Sequence, residues 1–153
     1  VVAPGFKYNL TDIAAAIGRV QLARADELWA ARRAVVAEYH RALEGIAGLE
    51  LPREQPDRQH SWHLFSVRLD LGVWRMGRDA FIDGLKERGI GASVHWMPLH
   101  MQPYYRQTYG FEPNAFPVAA SLWPRLVTLP VFPGMTGDEI HLVAAAIREL
   151  AQR

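Results

Sequence analysis

The sequence of 153 residues contains no cysteine. This absence excludes a disulfide framework and any metal site built on cysteine. No stretch approaches the ~20 apolar residues that a membrane-spanning helix needs. Residues 1–15 also lack the basic and apolar regions of a signal peptide. We therefore expect a cytoplasmic protein with no membrane partner.

Lysine is almost as scarce, because only Lys7 and Lys86 stand among 17 basic residues and the rest are arginine. Any chemistry that needs a lysine must use one of these two or come from outside the chain. The arginines are scattered among acidic residues, and the net charge is only +1. The densest group, Arg24, Arg32, Arg33 and Arg41, is interleaved with acidic residues, which favours a solvated helix face. Nucleic-acid binders usually carry a concentrated basic face, so we expect no nucleic-acid partner.

The length suits one domain with a real core, since about 150 residues bury roughly 70% of their unfolded surface. The first residue, Val1, is not methionine and has no polar lead-in. We expect the chain to be part of a longer polypeptide.

Hydrophobic periodicity predicts an α+β fold, with a long N-terminal helix and a small sheet covered by helices. The predicted elements are a helix over 11–45 bent near Gly18 or around 23–26, a loop over 45–59, strands over 62–70, 90–96 and 127–131, and helices over 79–88, 118–126 and from 136 onward. Residues along the first strand alternate between its two faces. The helix over 79–88 is amphipathic with Lys86 facing solvent, and Gly89 closes it in a C-cap position. Thr136 and Glu139 form a capping box that opens the last helix. Residues 98–117 are expected to be irregular, with one helical turn at 104–108.

Two patterns could carry chemistry. Residues 5–11 (GFKYNLT) precede a helix start, where backbone N–H groups and the helix dipole favour an anion, although a plain helix cap would look similar. Residues 94–105 are rich in aromatic and hydrogen-bonding side chains, which suits the wall of a sugar site or a well-packed loop. His60 and His63 lie at a loop-to-strand junction, where residues three apart point to opposite faces. No acidic residue lies near His95 and His100, so we expect no metal. No serine lies in the sequence context of a catalytic triad.

Five segments of the chain resemble the DegT/StrS-type sugar-nucleotide aminotransferases, in the order that the family has them. They are residues 4–22, 60–65, 85–91, 98–105 and 129–134. The run KYNLTD at 7–12 is most similar to enzymes that make 4-amino-4-deoxy-L-arabinose on a nucleotide carrier. The chain matches only the C-terminal part of such enzymes. The resemblance implies that residues 1–45 are a connecting loop and a long interdomain helix. It also implies that residues 46–153 are the small C-terminal domain, with a mainly antiparallel sheet covered by helices.

The resemblance implies a fold-type I enzyme that depends on pyridoxal 5'-phosphate (PLP), is a homodimer, and moves an amino group from a donor such as glutamate to a keto-sugar nucleotide. It implies that Lys7 and Asn9 contact the cofactor phosphate; in many relatives the amide and the cation stand in the opposite order, so either could be the closer contact. It also implies that His95, His100 and Tyr104 lie on the substrate side. The family's cofactor lysine and its aspartate partner precede this region.

No catalytic residue is therefore assigned to this chain, and we expect the chain alone to be inactive. A sugar dehydratase of the same family, using PLP or pyridoxamine phosphate (PMP), is a second interpretation. A non-catalytic dimerisation or interaction module is a third. Since the apolar face of residues 13–36 would be exposed, we also expect the isolated chain to self-associate.

Overall fold

The computed structural model describes residue 6 and residues 8–152. The helices are α1 (Asp12–Ala23), α2 (Ala25–Ala42), α3 (Arg78–Lys86), α4 (Pro103–Tyr109), α5 (Pro117–Leu122) and α6 (Gly137–Leu150), with 3-10 turns at Leu99–Met101, Pro113–Ala115 and Trp123–Arg125. The strands are β1 (Leu49–Glu50), β2 (Phe65–Leu69) and β3 (Leu126–Leu129). The α+β class predicted from the sequence is confirmed.

The long N-terminal helix is broken where the sequence predicted one of its two possible bends. Arg24 separates α1 from α2, with φ −104° and ψ 3°, and its N–H donates to the carbonyls of Gln21 and Leu22. Gly18, the other candidate, lies within the unbroken α1. Helix α1 contributes no buried residue, whereas α2 buries Val35, Val36 and Tyr39.

The three strands form one antiparallel sheet in the order β1-β2-β3. Along β2, the odd-numbered residues Phe65, Val67 and Leu69 are fully buried, while Ser66 and Arg68 on the other face are half-buried. This alternation follows from the period of two in a strand. It directs one face of the sheet into the core.

The predicted strand over 90–96 is wrong. Only Ser93 pairs with the sheet, through two backbone hydrogen bonds to Thr128 of 2.8 and 3.1 Å. In an antiparallel register the next pairing towards residue 90 would join Gly91 to Pro130, which has no N–H to donate. The next pairing towards residue 96 would join His95 to Leu126, whose N–H donates instead to the carbonyl of Trp123. The other edge of the sheet is instead occupied by β1, a two-residue strand inside the segment predicted to be loop.

The remaining elements cover the buried face of the sheet. Phe81 and Leu85 of α3 and Ile147 of α6 are fully buried in the same core as β2 and Tyr39. Helix α3 ends as predicted: Gly89 has φ +72°, and the N–H of Ile90 donates to the carbonyl of Leu85. This is the left-handed turn that glycine adopts readily after a helix.

The segment before β3 is more helical than the sequence indicated. Its predicted single turn is the helix α4, and the predicted helix over 118–126 is split into α5 and a 3-10 turn. Pro124 lies in that 3-10 turn, where it causes the split by removing a helical N–H. Within the described part of the chain, no helix is long and apolar enough to cross a membrane.

Candidate functional site

The backbone pairing of Ser93 with Thr128 brings His95 against the outer face of the sheet. Because residues two apart in an extended segment lie on the same side, His95 follows Ser93 towards the side chain of Thr128. Its Nδ1 lies 2.8 Å from the Thr128 Oγ1, which lies 2.8 Å from the Ser66 Oγ. Thr128 is buried, and His95 is half-buried. The structure thus fixes the ring of His95 through a hydrogen-bonded series of three side chains.

His100 is held differently. It is buried, its Nε2 lies 3.0 Å from the carbonyl oxygen of Pro113, and its ring centroid is 4.8 Å from that of Phe116. These contacts join the 3-10 turn that precedes α4 to the one that precedes α5. In this chain, the role that the geometry shows for His100 is to hold the loop together.

Tyr104 occupies the exposed start of α4, with 65% of its surface accessible. Its ring meets that of Tyr105 edge to face, with centroids 5.4 Å apart. Among the described residues, no hydrogen bond connects His95, His100 and Tyr104. The three predicted substrate residues lie on one segment without forming a single cluster.

Aromatic rings line that segment as its composition indicated. Stacked pairs join Tyr105 to Tyr109 and Tyr109 to Phe111, and Phe111 meets Phe116 edge to face. Trp96 is 79% exposed and lies next to the ring of His95. The loop therefore presents ring faces to solvent while its own stacking holds it in shape.

The predicted cofactor residues lie before α1. Lys7 is outside the described residues. Asn9 is exposed, three residues ahead of the first helical residue. The side chain of Thr11 accepts from the N–H of Ala14, which makes this an ordinary helix cap as well as the positive end of a helix dipole. An amide donor beside a helix N-terminus is chemistry that fits a phosphate group.

The second lysine has the solvent-facing position that its helical pattern indicated. Lys86 is exposed in the last turn of α3. Within residue 6 and residues 8–152, no three histidine or acidic side chains gather as metal ligands would. His60 instead accepts a hydrogen bond from the backbone N–H of Trp62 through its Nδ1.

Sequence reasoning missed a residue that holds the neighbouring turn. Arg32 of α2 donates from Nη1 to the carbonyls of Trp62 at 3.3 Å and Val131 at 3.0 Å. Trp62 is buried with φ +50°, a conformation that is strained for a large side chain and persists only when its surroundings hold it. The pattern of charges on α2 predicted a solvated face, and no periodic signal singled out Arg32.

A cavity of about 670 Å³ lies apart from Asn9, His95, His100 and Tyr104. It opens between the C-terminal end of α2 and the sheet, and its lining includes His40, Arg53 and Arg125. Burial lowers the pKa of His40, and the charge of Arg53 adds to this effect. Among the described residues, none of those predicted to bind cofactor or substrate lines this cavity.

Residues 1–148 match the model of the DegT/DnrJ/EryC1/StrS aminotransferase family. The spore coat polysaccharide biosynthesis protein SpsC of Bacillus subtilis is 35% identical over 153 residues, which are 99% of this chain and 39% of SpsC. The chain spans about two fifths of the length of the curated relatives that it matches.

Solved structures agree with this match. The structure of S. venezuelae DesV in complex with a ketimine intermediate has 32% sequence identity and a TM-score of 0.84, over 99% of this chain and 39% of that one. Spr1654 of Streptococcus pneumoniae, solved in a PLP form, has 26% identity and a TM-score of 0.85, over 99% of this chain and 38% of that one. A PMP form of Spr1654 is equally similar in fold, with the same TM-score of 0.85.

Proposed function

The chain belongs to the DegT/DnrJ/EryC1/StrS aminotransferase family, and on that premise we propose that it is the C-terminal part of a PLP-dependent enzyme that transfers an amino group from glutamate to a keto-sugar nucleotide. One observation carries the proposal: the family match extends over 1–148, while relatives with the same fold have been solved in PLP and PMP forms. PLP supplies the electron sink for such a reaction, and the protein supplies binding and orientation.

The contribution of residues 7–12 is to bind the cofactor phosphate. Asn9 would donate through its side-chain amide, and Lys7 would add a positive charge; both are interactions that a phosphate favours. Helix α1 begins three residues after Asn9, and the positive end of its dipole also favours an anion. Because α1 has no buried residue, we propose that the rest of the enzyme and a second subunit cover it, as in a homodimer.

The contribution of residues 95–104 is to bind the sugar nucleotide. His95 offers a ring nitrogen from a fixed ring, and the exposed ring of Tyr104 offers a face against which a sugar or base could stack. His100 would act by holding this loop in shape. We retain the division into residues 1–45, which connect the domain to the rest of the enzyme, and residues 46–153, which form the small domain.

The experiment uses the full-length protein that contains this chain. Glutamate should convert the visible absorption of bound PLP to that of PMP, and a keto-sugar nucleotide should reverse the change and yield an amino sugar by mass spectrometry. A 4-keto pentose nucleotide related to 4-amino-4-deoxy-L-arabinose is the first substrate to test. A dehydrated sugar with no amino product would contradict amino transfer and support a dehydratase of the same family.

The two lysines provide a matched pair of variants. Lys7→Ala should weaken PLP binding by about tenfold, because a charge-assisted contact to phosphate is lost. Lys86→Ala should leave PLP binding unchanged, since Lys86 is exposed on α3. Equal PLP affinities for the two variants would remove Lys7 from the phosphate site.

The inactivity of the isolated chain and the cytoplasmic location stay predictions. The inactivity is tested by assaying residues 1–153 with added PLP.

A further inference from the structure

Thr128 has more hydrogen-bonded partners than a strand residue needs. Its backbone N–H and carbonyl pair with Ser93, and its hydroxyl lies 2.8 Å from Ser66 on one side and 2.8 Å from His95 on the other. A hydroxyl has one proton and can also accept, so it suits one donor and one acceptor at the same time. Valine would fill the same space in a β-strand without offering either interaction.

We propose that Thr128 is a positioning residue, which holds the ring of His95 so that its Nε2 faces the substrate. The proposal rests on the proposed function for the substrate, because that function places the sugar nucleotide beside His95. The hold on the ring itself rests on the two measured distances. Among the described residues, Nε2 of His95 has no hydrogen-bond partner.

The direction of the hydrogen bonds decides what Nε2 can do. If Ser66 donates to the hydroxyl of Thr128, and Thr128 donates to Nδ1 of His95, then Nε2 carries the ring proton and becomes a donor. The reverse direction would make Nε2 an acceptor. The oxygens of a ketone and of a diphosphate are acceptors, so a substrate of this class requires the first direction. His95 then donates from Nε2 to a substrate oxygen, while the hydrogen bond between Nδ1 and Thr128 orients the ring.

The neighbouring residues support a preorganised ring. Thr128 is 6% exposed, so water does not compete for its hydroxyl. Val127 and Leu129, on either side of it, are buried in the core on the opposite face of the sheet and fix the strand. A site group held by packed neighbours keeps its geometry better than one on a free loop.

The kinetic test uses the full-length enzyme with its cofactor. Thr128→Val should lower kcat/KM for the keto-sugar nucleotide by about tenfold, mainly through KM, because the donor is no longer oriented. Thr128→Ser keeps the hydroxyl and should restore most of the loss, and Ser66→Ala should cost about threefold. In a His95→Ala background, Thr128→Val should have little further effect.

A direct test does not depend on the reaction. In NMR spectra of the full-length protein with ¹⁵N-labelled histidine, the His95 signals should show a protonated Nε2 and an unprotonated Nδ1. Thr128→Val should shift these signals towards those of a mixture of tautomers. Unchanged His95 signals in Thr128→Val, with an unchanged unfolding midpoint, would overturn the positioning role. Shifted signals in an enzyme that aminates no keto-sugar would support the positioning role and contradict the proposed function.

Discussion

Helices α1 and α6 begin in the same way and have opposite environments. Each starts after a capping threonine, and each carries apolar residues at helical spacing. Helix α6 buries six residues in the core, where it packs against α2 and α3, whereas α1 buries none. Along α1, the exposed fractions of Ile13 and Leu22 both reach 76%.

The difference shows what an amphipathic pattern predicts. Periodic apolar residues indicate a face that is to be covered, without indicating what covers it. The partners of α6 are in this chain. Those of α1 are not among the described residues, which agrees with a family whose members are far longer than the chain. Substitutions matched between the two helices can test this interpretation.

The largest expected effect is the removal of a buried side chain from α6. Ile147→Ala should lower the free energy of unfolding by about 2–5 kcal/mol, because Ile147 is fully buried and a cavity remains. Ile17→Ala on α1 should change it by less than about 0.5 kcal/mol in the 153-residue chain, since Ile17 is 60% exposed. Urea unfolding monitored by circular dichroism measures both.

The same pair of variants in the full-length protein sharpens the comparison. There Ile17→Ala should cost roughly 2 kcal/mol, because its face is covered. A negligible cost in both contexts would mean that α1 stays uncovered. We also expect the isolated chain to self-associate through this face, which sedimentation over a range of concentrations would reveal.

The second expected effect concerns glycine. Gly48 has φ +70°, and a Cβ placed there would lie 2.8 Å from the Cβ of Val73 and 2.9 Å from the Cδ1 of Trp74. Gly48→Ala should therefore destabilise the chain by about 2–4 kcal/mol through backbone strain and overlap. A Cβ placed on Gly18 in α1 would have no described atom within 4 Å apart from its chain neighbours and the backbone of its own helix. Gly18→Ala should raise helix content and cost nothing, since alanine favours helix by up to about 1 kcal/mol.

The third prediction compares adjacent arginines on α2. Arg32→Met removes two hydrogen bonds to the carbonyls of Trp62 and Val131 and should cost about 1–3 kcal/mol. Arg33 is exposed and lies 4.7 Å from the ring centroid of Trp29. Arg33→Met should cost no more than about 1 kcal/mol. Similar unfolding midpoints for the two variants would contradict the structural role of Arg32.

Local patterns predicted the elements whose signals are local. The break near Arg24, the alternation of β2, the turn at Gly89 and the cap at Thr136 each depend on neighbours in sequence, and the structure has all four. The prediction of a strand over 90–96 was wrong because strand pairing depends on the partner strand. Pro130, opposite the start of this segment, has no N–H to donate.

The contacts within the candidate site could be predicted less well, because they too depend on partners that are distant in sequence. The segment around His95 was identified from its residue types and from a family resemblance. The side chain of His95 contacts that of Thr128, 33 residues away in sequence, and Thr128 contacts Ser66, 62 residues away. No spacing in the sequence indicates these contacts. The role of Lys7 and Asn9 stays a prediction.

The smallest expected effect compares the two capping threonines. At α6, Thr136 and Glu139 form a reciprocal capping box, in which each side chain accepts from the backbone N–H of the other. Thr136→Ala should cost about 1 kcal/mol of unfolding free energy. At α1, Thr11→Ala should instead fray the helix by circular dichroism and barely change the unfolding of the core, because α1 buries nothing.

The capping box also makes a pH dependence specific to α6. The backbone N–H of Thr136, and then its hydroxyl, lower the pKa of Glu139 in the folded chain. A carboxyl with a lowered folded pKa adds stability above its ordinary value of 4.5 and loses it as the pH falls through the folded value. Glu139→Gln keeps an acceptor that does not titrate, so it should flatten the acid limb of stability against pH. If the acid limb of Glu139→Gln matches that of the unmodified chain, the carboxylate of Glu139 is not what stabilises the start of α6 at neutral pH.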